Sequence, residues 1–186
     1  MLASGALATL DRRALLQAAI LLVGGSLVGL PAEALAQAPA AARFFTAAQF
    51  ATLAETTDTI IPRTDTPGAK DAGVPEALDA LMTNWASGER KRQFRELIDD
   101  IDRRAFAAGK TSLAGLPAAR RLELIRAYDA EKMGAGDPVY GKFKELVLTI
   151  YYLSEPGATK ELRYELIPGK FEPWTEMAPD ARAWAV

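Results

Sequence analysis

Apolar residues recur at three- and four-residue spacing through most of the chain, with Gly and Pro between the runs. No stretch alternates apolar and polar residues long enough to suggest a strand, and no internal repeat is visible. Thr46 and Gln49 have the spacing of a capping box. Phe50, Leu53, Thr57, Ile60 and Ile61 then fall on a helical stripe that Pro62 stops. Pro75 suits the first turn of a helix over Glu76 to Ala86, with Leu78, Leu81, Met82 and Trp85 inward. Gly88 separates it from a helix over Glu89 to Ala108, striped by Phe94, Leu97, Ile98 and Ile101 and capped by Gly109. Pro117 opens a helix through about Lys132, with Leu122, Ile125 and Tyr128 inward. Asp137 and Pro138 are an N-cap and a first-turn proline for Val139 to Leu153, with Phe143, Leu146, Val147 and Ile150 inward.

Beyond Ser154 the pattern changes. Pro156, Gly157, Pro168, Gly169, Pro173 and Pro179 predict an extended tail, with room for one helical turn at Lys160 to Tyr164. The expected fold is therefore all-α: a small domain of about five helices, a long Pro/Gly loop from Arg63 to Val74 and an irregular C-terminal tail. The boundaries are residues 44–153 for the helical domain and 154–186 for the tail.

The front of the chain has a different character. Asp11-Arg12-Arg13 precedes an apolar run from Ala14 to Leu30, closed by Pro31 and followed by Ala34-Leu35-Ala36, a small-x-small cleavage pattern. The paired arginines make residues 1–36 similar to a twin-arginine export signal, with Asp11 and Leu15 departing from the usual residues. Residues 37–43 read as an Ala/Pro linker. The alternative is a retained membrane anchor, since about 17 apolar residues is the lower limit for a span.

Composition narrows the chemistry. The 186 residues carry 22 Lys+Arg against 24 Asp+Glu, so there is no basic stripe for nucleic acid, and no nucleic-acid partner is expected. There is no Cys, which removes disulfides, iron–sulfur clusters, covalent c-type haem and thiol nucleophiles. There is no His, which removes the usual zinc sites, Ser-His-Asp triads and imidazole acid–base catalysis. Carboxylates, Lys and Tyr are what is left, and the balance leans away from an enzyme.

The residual motifs have ordinary explanations. Tyr128/Lys132 and Tyr140/Lys144 have the Tyr-x-x-x-Lys spacing of short-chain dehydrogenases, but no Gly-rich strand–turn–helix accompanies them. Arg92/Glu96, Arg95/Asp99, Asp99/Arg103 and Asp100/Arg104 read as a solvated helix face. Asp99, Asp100 and Asp102 lack the spacing of a calcium loop. No Ser-x-x-Lys is present.

Two segments exceed what a helical bundle needs. One runs from Ile60 to Pro75 and holds three prolines and two glycines, with Arg63 and Asp65 able to pair across it. The other runs from Tyr151 to Tyr164, and Tyr and Arg are enriched at the energetic centres of interfaces. On the residues alone, a rigid connection packed on its own core and a partner interface are equally good readings.

These segments carry a family resemblance. Asp58-Thr59-Ile60-Ile61-Pro62-Arg63-Thr64-Asp65-Thr66-Pro67-Gly68-Ala69 with Ala72-Gly73-Val74-Pro75, and Tyr151-Tyr152-x-Ser154-Glu155-x-Gly157-Ala158-Thr159-Lys160-Glu161-Leu162 with Tyr164, resemble the gluconate 2-dehydrogenase subunit 3 family over roughly Phe44 to Trp174. The resemblance implies a non-catalytic small subunit of a periplasmic FAD-dependent sugar dehydrogenase. Its large partner is a GMC-type flavoprotein, a cytochrome c subunit often accepts the electrons, and the twin-arginine translocase exports the pair. It implies no cofactor in this chain: FAD belongs to the partner and haem c to a third subunit. It carries over no catalytic, cofactor-binding or metal residue. The expected partner interface is Pro62, Arg63, Thr64, Asp65, Pro67, Tyr151, Tyr152, Glu155, Lys160, Tyr164, Phe171 and Trp174. Two alternatives stand beside it: a membrane-tethering subunit, and a stand-alone periplasmic binding module.

Overall fold

The computed structural model describes residues 43–163 together with 176, 182 and 183. The expectations for residues 1–36, for the linker up to Ala42 and for Tyr164, Phe171 and Trp174 lie outside the described residues. Within them the protein is all-α, with five α-helices and two short helical turns. These are α1 (Ala47–Ile60), α2 (Val74–Asn84), α3 (Gly88–Gly109), a 3-10 turn (Leu113–Gly115), α4 (Ala118–Gly134), α5 (Pro138–Leu153) and a π-helical turn (Gly157–Glu161).

The helix starts follow local chemistry. Thr46 accepts from the Gln49 amide at 3.2 Å while the Gln49 side chain accepts from the Thr46 amide at 3.2 Å, a complete capping box. Asp137 accepts from the amides of Val139 and Tyr140 at 2.9 and 3.1 Å, and Pro138 costs nothing in the first turn. Ser87 caps α3 by accepting from Arg90 at 3.2 Å. The end of α3 differs from expectation. Gly109 stays helical, with Leu116 filling the space a Cβ there would need, and Lys110 takes the left-handed C-cap position at φ 56°.

α1 and α5 are the centre of the packing, each against α2, α3 and α4. The core holds Leu53, Val74, Leu78, Phe94, Ile98, Ile101, Leu113, Phe143 and Val147, with Phe94 and Phe143 edge to face at 5.6 Å. Full burial of each such side chain stabilises by about 1.5–3 kcal/mol. Three buried threonines on α1 are satisfied: Thr52 donates to Asp102 at 3.0 Å, Thr56 to the Thr52 carbonyl at 2.7 Å and Thr57 to the Ala54 carbonyl at 3.1 Å. Asp102 also accepts from the Leu113 amide at 2.8 Å, so it is a junction of α1, α3 and the 3-10 turn. Buried Asp79 accepts from the Phe45 and Phe44 amides at 2.9 and 3.3 Å and pins the entry to α1 onto α2.

Two inward assignments and a set of surface charge pairs are corrected. Trp85 is 84% exposed, because α2 ends at Asn84 and Trp85 is its C-cap. Leu122 is 38% exposed, because the buried stripe of α4 is narrowed to Ile125 and Tyr128. Of the four expected charge pairs on α3 only Asp100–Arg104 forms, at 3.3 Å; Arg92 reaches Glu89 and Arg103 reaches Asp100 one turn back. The tail is also corrected at its start. Residues 155–161 are helical and not extended, one turn earlier than expected.

Candidate functional site

The loop from Ile61 to Gly73 has a defined path made by its own polar groups. The Ala69 amide donates to the Ile61 carbonyl at 2.9 Å, closing the loop at its base. Arg63 pairs with Asp71, and Asp71 also accepts from the Gly68 amide at 3.0 Å. The Arg63 guanidinium, together with that amide, holds the Asp71 carboxyl below its ordinary range. Lys70 straps the loop to α1 through Glu55 at 2.7 Å and Asp58 at 3.7 Å. Gly68 is required for this closure, since a Cβ there would stand 2.7 Å from the Arg63 nitrogen.

The second segment is built against the first. The Tyr151 hydroxyl donates to the Pro67 carbonyl at 2.7 Å across 84 residues of chain. Thr66 donates to the Glu161 carboxylate at 2.5 Å across 95 residues. Tyr151 is 1% exposed, and its burial pushes the phenol pKa up. The turn that carries Glu161 is seated tightly. Ser154 donates to the Tyr151 carbonyl at 2.6 Å and accepts from the Gly157 amide at 3.1 Å, and Gly157 leaves no room for a Cβ against Tyr151. Both motifs therefore form one latched unit at the junction of the loop and the end of α5.

Around the latch, Pro62, Arg63, Thr64, Asp65, Tyr152, Glu155 and Lys160 are exposed, and Pro67 is half-buried. Tyr152 is 41% exposed and stands edge to face on buried Tyr151 at 5.3 Å, which fixes its ring. Tyr151 thus sits behind the surface and supports it. Sequence reasoning missed Leu153, which is 77% exposed beside Tyr152. Its signal was its place on the last turn of α5, after the core stripe has ended.

The Tyr-x-x-x-Lys pairs have structural partners. Tyr140 and Lys144 both reach Asp129, at 3.0 and 2.6 Å. Lys132 pairs with Asp137 at 3.2 Å and lies over the Tyr128 ring at 5.5 Å. Burial pushes both phenols up, so they stay protonated at neutral pH. Asp99 accepts from Gln49 at 2.8 Å, and Asp100 pairs with Arg103 and Arg104. Among the described residues no group of acidic side chains is placed to hold a metal ion, and no helix is long and apolar enough to cross a membrane.

Next to the latch, a cleft of ≈ 590 Å³ lies between α1, α4 and α5. Pro62 of the loop, Leu122 and Arg126 of α4 and Lys144 of α5 line it.

The fold and the site define a class: a small helical domain whose most elaborate feature, among the described residues, is a latched surface. The chain belongs to the gluconate 2-dehydrogenase subunit 3 family, whose model matches residues 47–169. That span takes in both the Pro/Gly loop and the Tyr151–Tyr164 segment. No curated protein and no solved structure matches the chain. The family is one of dehydrogenase-complex subunits, so membership implies association with other subunits of such a complex.

Proposed function

We propose that this chain is the non-catalytic small subunit of a periplasmic FAD-dependent sugar or glycoside dehydrogenase. It binds a GMC-type flavoprotein, aids its folding or maturation, and carries it through the twin-arginine route on its own signal. The observation that carries the reading is the latch: Tyr151 to Pro67 and Thr66 to Glu161 join two distant segments into one ordered surface bearing exposed Tyr152 and Leu153. A surface held in place before binding loses little entropy on docking, and a fixed Tyr with an exposed Leu is a good anchor. The lack of Cys and His supports the non-catalytic role, and FAD and any haem c are assigned to the other subunits.

The test is a tagged purification from the native host, with mass spectrometry and a visible absorption spectrum. A larger co-purifying chain with a flavin spectrum is expected. Replacing Arg12 and Arg13 by Lys should hold both chains in the cytoplasm. A colourless, partner-free monomer overturns the reading, and export of the flavoprotein despite the Lys pair overturns the carrier role.

A further inference from the structure

We propose that the cleft between α1, α4 and α5 is a docking groove for an acidic, apolar segment of the flavoprotein subunit. This rests on the accessory-subunit reading above and adds where the partner inserts and what it inserts. The cleft, ≈ 590 Å³, has the volume of a concave binding site. Its apolar floor is Ile60, Pro62, Leu122 and Ile125, and Leu122 is 38% exposed there.

The charges on the rim decide the occupant. Glu55 is held by Lys70 at 2.7 Å and Arg121 at 3.2 Å, and Asp58 by Lys70 at 3.7 Å. Asp129 accepts from Lys144 at 2.6 Å and from Tyr140 at 3.0 Å. Arg126 lines the same cleft, is exposed, and has no ion pair or hydrogen bond among the described residues. A free guanidinium above an apolar floor selects a carboxylate carried beside an apolar side chain, which it can hold through both oxygens. A lysine-rich segment would meet like charge. A second cleft, ≈ 700 Å³ between α3 and α4, lacks this feature, because its rim arginines are paired: Arg104 with Glu131 at 2.7 Å and Arg120 with Glu123 at 2.9 Å.

The groove also runs into the latched surface. Lys144 lines the cleft, and Leu148 and Tyr152 follow it at four-residue steps along one face of α5, 38% and 41% exposed. The three cover about 12 Å of helix. A segment seated in the cleft is therefore continuous with a partner resting on Tyr152.

The test places a photo-activatable benzophenone side chain at Leu122 of the full chain, with separate probes at Tyr152 and, as a site away from the cleft lining, at exposed Phe106 of α3, in the complex isolated from the host. The Leu122 probe is expected to label a partner peptide carrying Asp or Glu within a few residues of an apolar side chain. Arg126→Glu should weaken association about tenfold, and Arg126→Lys should restore most of it, with the difference shrinking at high salt. Labelling from Tyr152 but not from Leu122 sinks the groove and leaves the accessory-subunit reading standing. Labelling of this chain's own tail or of a second copy from Leu122 sinks it as well. A second subunit labelled from neither position, or only from Phe106, sinks the groove, whereas a chain that isolates without a second subunit sinks both.

Discussion

Gly157→Ala probes whether the turn after α5 is a seated part of the latch. A Cβ at this position lies 1.9 Å from the Tyr151 carbonyl oxygen, 2.8 Å from its carbonyl carbon and 3.1 Å from the Tyr152 Cα. Ordinary contacts stand near 3.5 Å. All three neighbours are backbone, so no rotamer change relieves the overlap and the turn must move. Overpacking of this kind costs about 1–3 kcal/mol. Moving the turn also draws Glu161 away from Thr66, and a hydrogen bond to a charged group is worth about 1.5–3 kcal/mol. Against this, Ala in place of Gly restricts the unfolded chain and returns about 0.4–1 kcal/mol. The expected net loss is about 2–4 kcal/mol, since Thr66 and Glu161 are partly exposed. Urea unfolding of the full chain by far-UV circular dichroism measures it, as a lower midpoint at unchanged slope. Hydrogen exchange at the Leu162 amide, which donates to the Gly157 carbonyl at 2.9 Å, reports the turn itself. Gly141→Ala is the control, because that site within α5 has nothing within 4 Å of its Cβ and should gain about 0.5–1 kcal/mol. A Gly157→Ala protein that gains stability like the control, with Leu162 still protected, refutes the reasoning.

Asp79→Ala should cost about 1–3 kcal/mol by leaving the Phe44 and Phe45 amides without their acceptor, and limited proteolysis should then cut near Arg43. Acid should loosen the loop and the start of α5 together. The pKa values of Asp71 and Asp137 are lowered on folding, so their stabilisation is present above their ordinary value of 3.8 and is lost as pH falls through the folded values. A pH titration by circular dichroism should show that loss in wild type and a smaller one in Asp137→Asn, whose cap cannot be protonated. Trp85→Ser should change stability by no more than about 0.5 kcal/mol, because the ring is 84% exposed; a loss above about 2 kcal/mol in the same urea assay would return Trp85 to the core.

What the chain determined by itself was the class of fold and the place of the helices. Thr46 with Gln49, Asp137 with Pro138, and Pro62 act through hydrogen bonds and clashes spanning two to four residues, so their effect is complete before any helix meets another. The two unusual segments were also legible, from prolines, glycines and tyrosines that a bundle does not require. What they do to each other was not. Tyr151 looked like a surface residue, and only the approach of α5 to the loop carries it inside to the Pro67 carbonyl. Trp85 and Leu122 looked inward because helical periodicity marks an apolar stripe wider than the neighbouring helices cover. Gly157 looked like a helix breaker, whereas it is the one residue small enough for a turn to close on the Tyr151 carbonyl. Arg126 was one basic residue among many, and its lack of a partner is visible only once the carboxylates around its cleft have found theirs. Burial and pairing depend on which elements approach across long stretches of chain, and that is decided by the tertiary structure alone.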